Sequence, residues 1–377
     1  MPGRSLRVVT LLLVPAVFGC SPAPPPSPSA TQPPVPAEFV PWPDIAWELA
    51  DLPLRPVRAT GEGVVSVTAT PAAFVAVGYR EIDTVRDGMV WRSTDGERWD
   101  TIDAAVFDGI ELVDVAPAPG GFMALGVASG ADGDHPSSVV FRSVDGATWQ
   151  RLPALPSAGD TYPRVLAGGP DGVIVVGDAA GGGEAVWRAA DGRSFQRLTL
   201  TGPAAAGLID PQGVADGFVA LVGDGRTPTL LRSVDGATWT GTPIEAQSTI
   251  PGIHVIVGRW GSVVQGMGSS GCGAACPVEF VAWWSGDGDR WGRLPADSPL
   301  TNGTSIVVAA GEHGLLAIDG ADAWSSPDGW AWRSLPEPGD GSVTIDDAVV
   351  RDDMIVAVGS EFGEEDGSSE GRILVAR

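Results

Sequence analysis

The sequence contains no lysine: all 23 basic residues are arginine, set against 47 aspartates and glutamates. The formal net charge of −24 makes nucleic acid a poor partner for the chain. No segment shows the sustained 3.6-residue apolar period of a helix. The sequence also lacks Walker and His-Glu-x-x-His motifs. We therefore expect an all-β protein that has no cofactor and binds no nucleic acid.

Long apolar runs are scarce as well, and the first of them is Val8–Phe18. It follows Arg4 and Arg7 and is shorter than the roughly 20 residues that span a bilayer, so it predicts an export signal over residues 1–19. The following Val17-Phe18-Gly19-Cys20 resembles a bacterial lipobox. This resemblance implies that Cys20 is lipidated after cleavage behind Gly19. The alternative is an ordinary secretory signal followed by a chance cysteine.

Proline is concentrated just after this signal, with ten prolines in residues 21–43. Such a segment buries too little apolar surface to fold and stays extended. We predict a tether over residues 20–42 and one folded domain over residues 43–377. The tether would hold that domain at the extracytoplasmic face of a bacterial cell membrane, anchored through Cys20.

Only three cysteines are present, and two of them form Cys272-Gly-Ala-Ala-Cys276. In an exported chain we expect a disulfide between Cys272 and Cys276. The alternative, a metal site, would need further ligands, and the three histidines are distant in sequence. We therefore expect no metal.

A short pattern, Arg-Ser-x-Asp-Gly-x-x-Trp, recurs six times at intervals of roughly 40–50 residues, the period of a β-propeller blade. An Asp-Gly pair suits a hairpin turn, because the carboxylate accepts backbone N–H groups and glycine tolerates positive φ. We expect structural roles for the six aspartates: Asp95, Asp145, Asp191, Asp235, Asp287 and Asp328.

Seven apolar runs of four or five residues, such as Phe122–Leu125, precede or follow these turns and predict buried strands. The last unit ends in a strand, Arg372–Arg377, that lacks a partner. The segment Asp44–Leu49 reads as an unmatched fourth strand. Joining the two completes a seventh blade and removes an exposed edge. We predict a seven-bladed β-propeller closed by its N- and C-terminal strands, with six blades as the alternative.

The turn pattern resembles the bacterial neuraminidase repeat, or Asp-box, of sialidase-like propellers, although the turn is one residue shorter here. The resemblance implies that the turns lie opposite the functional end, which carries the loops between second and third strands and the links between blades. Candidate catalytic residues there are Tyr79, Arg80, Glu81, Tyr162 and Arg164. Candidate binding residues are Asp83, Arg86, Asp87, Asp132, Asp134, His135, Arg226, His254, Arg259 and the acidic loop from Glu361 to Glu370.

The catalytic set of a sialidase is incomplete in this sequence. Such an enzyme uses a tyrosine nucleophile, an acid/base aspartate and three arginines, yet only Tyr79 and Tyr162 exist and the Arg-Ile-Pro motif is absent. We expect a monomeric, non-catalytic binding or scaffold protein for a glycan, a peptide or an envelope protein. The alternatives are a sialidase-like exo-glycosidase and a glycosidase that uses two carboxylates.

The lipobox resemblance generates the first testable prediction. The substitution Cys20→Ser should move the protein from the membrane fraction to the medium, because stable anchoring depends on the acyl chains at this residue. Immunoblotting of the two fractions measures the change. Retention of the variant at the membrane would contradict the assignment.

Overall fold

The structure is a computed structural model that describes residues 42, 45–50, 52, 61–128, 137–156, 161–169, 171–179, 183–222, 228–244, 252–259, 261–269, 278–301, 307–320, 322–339, 342–362 and 368–377. Strands dominate these residues, and their only helices are 3₁₀ turns at Ala105–Phe107, Gly202–Ala206 and Pro299–Thr301. Within this part of the chain no helix is long and apolar enough to cross a membrane.

The described strands form seven antiparallel sheets of four strands, each sheet being one blade. Blade one comprises β2 (Gly61–Ala69), β3 (Phe74–Ile82), β4 (Val85–Ser93) and β5 (Asp100–Ile102). Blade two comprises β6 (Ile110–Ala118), β7 (Gly121–Ala128), β8 (Ser137–Ser143) and β9 (Trp149–Arg151). Blade three comprises β10 (Thr161–Gly169), β11 (Gly172–Ala179), β12 (Glu184–Ala189) and β13 (Gln196–Leu198).

The remaining blades repeat this order. Blade four comprises β14 (Ile209–Val214), β15 (Gly217–Val222), β16 (Thr229–Ser233) and β17 (Thr240–Pro243). Blade five comprises β18 (Gly252–Val257), β19 (Ser262–Ser269), β20 (Val278–Ser285) and β21 (Gly292–Arg293). Blade six comprises β22 (Val307–Gly311), β23 (Gly314–Asp319), β24 (Asp322–Ser326) and β25 (Arg333–Leu335). Blade seven comprises β26 (Val343–Arg351), β27 (Met354–Phe362), β28 (Ser369–Ala376) and the N-terminal β1 (Trp47–Leu49).

The core lies between neighbouring blades, because the second strand of each blade is covered on both faces. All four residues of Phe74–Val77 are fully buried. Val75 and Val77 of blade one share one apolar cluster with Phe122 and Phe141 of blade two. The seven apolar runs predicted from the sequence are therefore confirmed as strands, and each contributes to two interfaces between blades.

Pairing of the two chain ends closes the ring. Strand β1 lies antiparallel to β28, with Trp47 opposite Ala376 and Leu49 opposite Leu374. Past the end of β1, the Ala50 N–H donates to the Ile373 carbonyl at 2.9 Å. The prediction of seven blades closed by terminal strands is confirmed, and the six-bladed alternative is wrong.

The fourth-strand tryptophan of blade seven has no Asp-Gly turn before it. The Trp47 indole N–H instead donates to the carbonyl of Pro336, at 3.0 Å. Trp42, the last residue of the predicted tether, is buried with its ring centroid 4.7 Å from that of His313. The packing of the folded body thus extends to Trp42.

The closure generates a prediction about stability. Deleting residues 44–50 should lower the melting temperature by at least about 5 °C and promote aggregation, because several backbone hydrogen bonds of about 1 kcal/mol each are lost and a strand edge is bared. Differential scanning calorimetry measures the shift. Deleting residues 21–36 of the predicted tether is the control and should change nothing; equal behaviour of the two deletions would contradict the closure.

Candidate functional site

The two ends of the ring differ in what they carry. One end, here called the turn face, carries the Asp-Gly turns and the turns between first and second strands. The other end, the loop rim, carries the connections between second and third strands and the links between blades, such as residues 103–109. Strand direction alone assigns every described segment to one end or the other.

The Asp-Gly turns use their carboxylates within the backbone. In blade two, Asp145 Oδ1 accepts the N–H groups of Ala147 and Thr148, both at 2.9 Å. Gly146 has φ +77° and its carbonyl accepts the indole N–H of Trp149 at 3.0 Å. These backbone N–H bonds hold the pKa of Asp145 below its usual value. The Asp145 carboxylate therefore forms these hydrogen bonds within its own turn.

The same contacts recur in the other turns. Oδ1 of each remaining turn aspartate accepts two backbone N–H groups; these residues are Asp95, Asp191, Asp235, Asp287 and Asp328. Blade three departs from the pattern, since Ala189 replaces the serine and the Ser194 hydroxyl donates to Asp191 instead. The geometry assigns a local structural role to all six carboxylates.

In blade one the arginine of the repeat contacts the next blade, whereas Arg142 and Arg188 donate to carbonyls of their own blades. Arg92 Nε of blade one donates to the Asp145 carbonyl of blade two at 2.7 Å. In blade five Trp284 takes the arginine position, and its indole N–H donates to the Asp328 carbonyl of blade six. Sequence reasoning missed this role, although the recurrence of the arginine in the pattern was its signal.

On the loop rim, Tyr79 is covered by a cation from its own blade. The Arg86 guanidinium lies 4.1 Å from the Tyr79 ring centroid. Arg86 also pairs with Glu81 at 2.9 Å and with Glu111 of blade two at 2.6 Å. The hydrogen bond that Arg86 donates to Glu81 is the main reason that the pKa of Arg86 is raised. The Arg86 guanidinium thus stacks on the tyrosine ring and is paired with both carboxylates.

The other described arginines of the loop rim are paired as well. Arg80 contacts Asp103 at 3.4 Å, and Arg164 contacts Asp178 and Glu184 at 2.9 and 3.3 Å. Arg372 contacts Glu361 and Glu370 at 2.6 and 2.5 Å. Each of these four described arginines, Arg86 included, is therefore paired with at least one carboxylate, which weakens its attraction for an anionic ligand.

The two tyrosines are not brought together. Tyr79 lies in the second strand of blade one, whereas Tyr162 lies in the first strand of blade three and is 42% exposed. Asp83 occupies the tight turn between β3 and β4 with φ +50°. Asp87 accepts the Gly109 N–H at 2.7 Å. The predicted catalytic residues thus belong to separate local groups.

Two of the predicted binding residues, His254 and Arg259, each lie beside a carboxylate. His254 lies in β18 with Nδ1 3.7 Å from an Asp210 carboxylate oxygen, and interaction with Asp210 raises the pKa of His254. Arg259 was expected on the loop rim, but it lies in the turn between β18 and β19 and pairs with Glu312 at 2.8 Å. That expectation is wrong, because the turn between a first and a second strand belongs to the turn face.

Several predicted residues lie outside the part of the chain that the structure describes. They are Cys20, Asp132, Asp134, His135, Arg226, Cys272 and Cys276. Among the described residues, no group of three or more histidine, cysteine, aspartate and glutamate side chains could hold a metal ion.

Apolar side chains are exposed among the charges of the loop rim. Val85 of blade one is 54% exposed and Phe362 of the adjacent blade seven is 63% exposed. Arg86, Arg164 and Arg372 each have two carboxylate partners, and Asp83, Asp87 and Asp108 add further acid at this end. The described carboxylates of the loop rim thus outnumber its arginines, and they surround apolar side chains on neighbouring blades.

The wall of the central channel contains a second polar system. A β-bulge interrupts several first strands, for example between Leu112 and Asp114 of β6 and between Ile345 and Asp347 of β26. Bulges leave backbone groups out of the sheet pairing, and these need other partners. Side chains of one blade accept such N–H groups from the next: Asp347 from Val67 at 2.9 Å, Ser66 from Val115 at 3.3 Å, Asp114 from Leu166 at 2.7 Å and Asp210 from Val255 at 2.8 Å.

These channel joints bind neighbouring blades at their inner edges. Burial raises the pKa of Asp114 to about 7 and the pKa of Asp347 to about 6, despite the hydrogen bonds that each accepts. Sequence reasoning missed the joints, although an aspartate inside an apolar first strand, as in Val113-Asp114-Val115, was a signal.

Comparison with known proteins identifies the fold. No family model matches the chain, and no curated protein matches its sequence. Similar solved structures include virginiamycin B lyase from Staphylococcus aureus, with a TM-score of 0.53, 10% identity and coverage of 88% of this chain and 99% of that one. Streptogramin B lyase gives a TM-score of 0.53 at 8% identity over 89% and 98% of the two chains.

A third similar structure is YCF48 bound to D1 peptide, with a TM-score of 0.53, 14% identity and coverage of 87% of this chain and 97% of that one. Identities this low show the seven-bladed propeller fold alone. No family match supports the Asp-box or sialidase-like assignment, so the activity of the chain has to be argued from its own residues.

Proposed function

We propose that the protein is a lipid-anchored, extracytoplasmic β-propeller that binds a partner without catalysis. The partner is a peptide, an envelope protein or a glycan, and it contacts the loop rim. The observation that carries the proposal is the pairing of Arg80, Arg86, Arg164 and Arg372 with carboxylates of the same rim. A rim whose arginines are paired in this way can contact a partner, but its described residues do not form a catalytic group.

The charge of the rim favours a peptide or protein partner that carries basic residues. Electrostatic complementarity governs the choice of partner and the association rate. The exposed Val85 and Phe362 add an apolar contact on two adjacent blades. YCF48, a protein of similar fold, has been solved with a bound peptide, which supports a peptide as the type of ligand.

A sialidase-like hydrolase receives less support from the same residues. Its substrate is an anion, and three arginines with free guanidinium groups would have to hold the substrate carboxylate. The arginines of this rim that the structure describes are paired with carboxylates, and Tyr79 and Tyr162 lie two blades apart. The glycosidase remains the alternative that the experiment must test.

A binding assay with matched variants tests the proposal. The secreted Cys20→Ser chain would be applied to arrays of lysine- and arginine-rich peptides, of aspartate- and glutamate-rich peptides, and of neutral and sialylated glycans. We expect binding to basic peptides that weakens as salt rises. The double substitution Val85→Ala/Phe362→Ala should reduce this binding about tenfold or more, consistent with loss of apolar contacts worth 1–2 kcal/mol.

The control pair is Val144→Ala/Val234→Ala, which removes valines of the turn face that are 66% and 74% exposed. It should leave binding unchanged. Equal losses in both pairs would contradict a site on the loop rim. Hydrolysis of a glycoside that Tyr79→Phe or Tyr162→Phe abolishes would overturn the non-catalytic proposal.

A further inference from the structure

Three polar side chains from three blades meet in the channel wall beside the seam where the ring closes. Ser66 Oγ of blade one lies 3.1 Å from Asp114 Oδ1 of blade two and 3.1 Å from Asp347 Oδ2 of blade seven. The Val115 N–H also points at Ser66 Oγ, at 3.3 Å. One hydroxyl oxygen therefore has two carboxyl oxygens and one N–H group as neighbours.

The number of protons decides how this group is bonded. A serine hydroxyl has one hydrogen to donate and already accepts the N–H of Val115. If both carboxyls were ionised, the Ser66 hydroxyl could donate to only one of them. The oxygen of the other carboxylate would then face the hydroxyl oxygen with no hydrogen between them. Both 3.1 Å contacts become full hydrogen bonds if one of the two carboxyls holds a second proton.

The hydrogen-bond partners of the two carboxyls indicate which carboxyl holds the second proton. Asp347 accepts from three donors, since Val67 N–H and the Ser66 hydroxyl reach Oδ2 and Ala348 N–H reaches Oδ1. Asp114 Oδ2 accepts the Leu166 N–H at 2.7 Å and Oδ1 faces Ser66, while the Val115 N–H interacts with both Ser66 Oγ and the Asp114 carboxyl. Asp347, whose two backbone donors lie at 2.9 and 2.8 Å, is the better carboxylate, and Asp114, which has the more strongly raised pKa, is the better acid.

We propose that Asp114 is a protonated carboxylic acid that donates to Ser66, that Ser66 donates to the Asp347 carboxylate, and that this shared proton is a pH-sensitive joint between blades seven, one and two. When the proton leaves, the two carboxylates repel each other across Ser66. The joint weakens at the seam that the terminal strands close. The inference does not depend on the proposed function.

No cation among the charged side chains of the surrounding first strands is available to replace the proton. Arg164 of β10 is paired with Asp178 and Glu184, and Arg351 of β26 donates to carbonyls of Thr70 and Thr94. The remaining charged residues on β2, β6 and β26 are acidic: Glu62, Glu111 and Asp346. Asp346 lies beside Asp347 and raises its pKa further.

The sign of the pH dependence follows from the raised pKa values. An unfolded aspartate loses its proton near pH 4, whereas the folded pair keeps its last proton until about pH 7 and, because the pKa of Asp347 is also raised, holds a second below about pH 6. The folded state thus binds more protons between these limits. The stabilisation is complete at low pH and is lost as the pH rises, so the unfolding equilibrium constant should increase by up to about tenfold per pH unit for each retained proton.

Asparagine substitutions test the assignment. Asp114→Asn supplies an N–H₂ group for Ser66 and a carbonyl for Leu166, so it should keep wild-type stability at pH 5. In denaturant titrations between pH 4 and 7, the slope of its unfolding free energy against pH should be smaller than that of the wild type by the contribution of one proton. Asp347→Asn must turn its N–H₂ group toward another donor, so it should be destabilised at every pH. The control Asp210→Asn changes a joint without a second carboxyl and should keep the wild-type slope between pH 4 and 6.

Infrared spectroscopy of the wild-type chain is the second measurement. At pH 6 we expect the carbonyl band of a protonated carboxylic acid, and Asp114→Asn should remove it. Absence of this band in the wild type overturns the proposal, even if a variant fails to fold. Equal destabilisation by Asp114→Asn and Asp347→Asn, or an unchanged slope in Asp114→Asn, also overturns it.

Discussion

The pairing of β1 with β28 is the interaction on which the rest of the ring depends. A propeller buries its core between blades, so a missing outer strand would bare both a backbone edge and an apolar flank. Here the edge is covered by three residues, Trp47–Leu49, held by the strand that ends the chain. Because the two partners are almost a whole chain length apart, this pairing is a long-range contact whose loop-closure entropy has to be offset by its hydrogen bonds and packing.

Two further sets of hydrogen bonds join neighbouring blades. At the turn face, Arg92 and Trp284 donate to a carbonyl in the next Asp-Gly turn. In the channel, side chains at the bulges, such as Asp114, accept an N–H group from the next first strand. Both sets connect elements that the apolar core already brings together. Among the described residues of the loop rim, blades are joined by ion pairs such as that of Arg86 with Glu111.

The sequence predicted the parts of the structure that depend on local pattern. Apolar runs such as Val173–Val176 and turns such as Asp145-Gly146 carry their signals within a few residues, and counting them led to the unmatched strand at Trp47. The channel joints were not predicted, since Ser66 meets partners 48 and 281 residues away. Arg259 was assigned to the wrong end because the first strand of blade five was not delimited from sequence, although its second strand was marked by the apolar run Val263–Met267. The ion pairs of the rim, such as Arg86 with Glu111 of the next blade, also depend on contacts between blades that no local pattern reports.

The closure can be tested most directly by a disulfide across β1 and β28. Glu48 lies opposite Val375, and directly opposed residues have Cα atoms about 4.5–5.5 Å apart, within the range that a disulfide spans. In a background of Cys20→Ser, Cys272→Ser and Cys276→Ser, the pair Glu48→Cys/Val375→Cys should oxidise spontaneously and raise the melting temperature, and reductant should reverse the gain. The pair Glu48→Cys/Ile373→Cys, two residues out of register, should do neither. Failure of the first pair to form a bond, or equal bond formation by both pairs, would contradict the closure of the ring by its terminal strands.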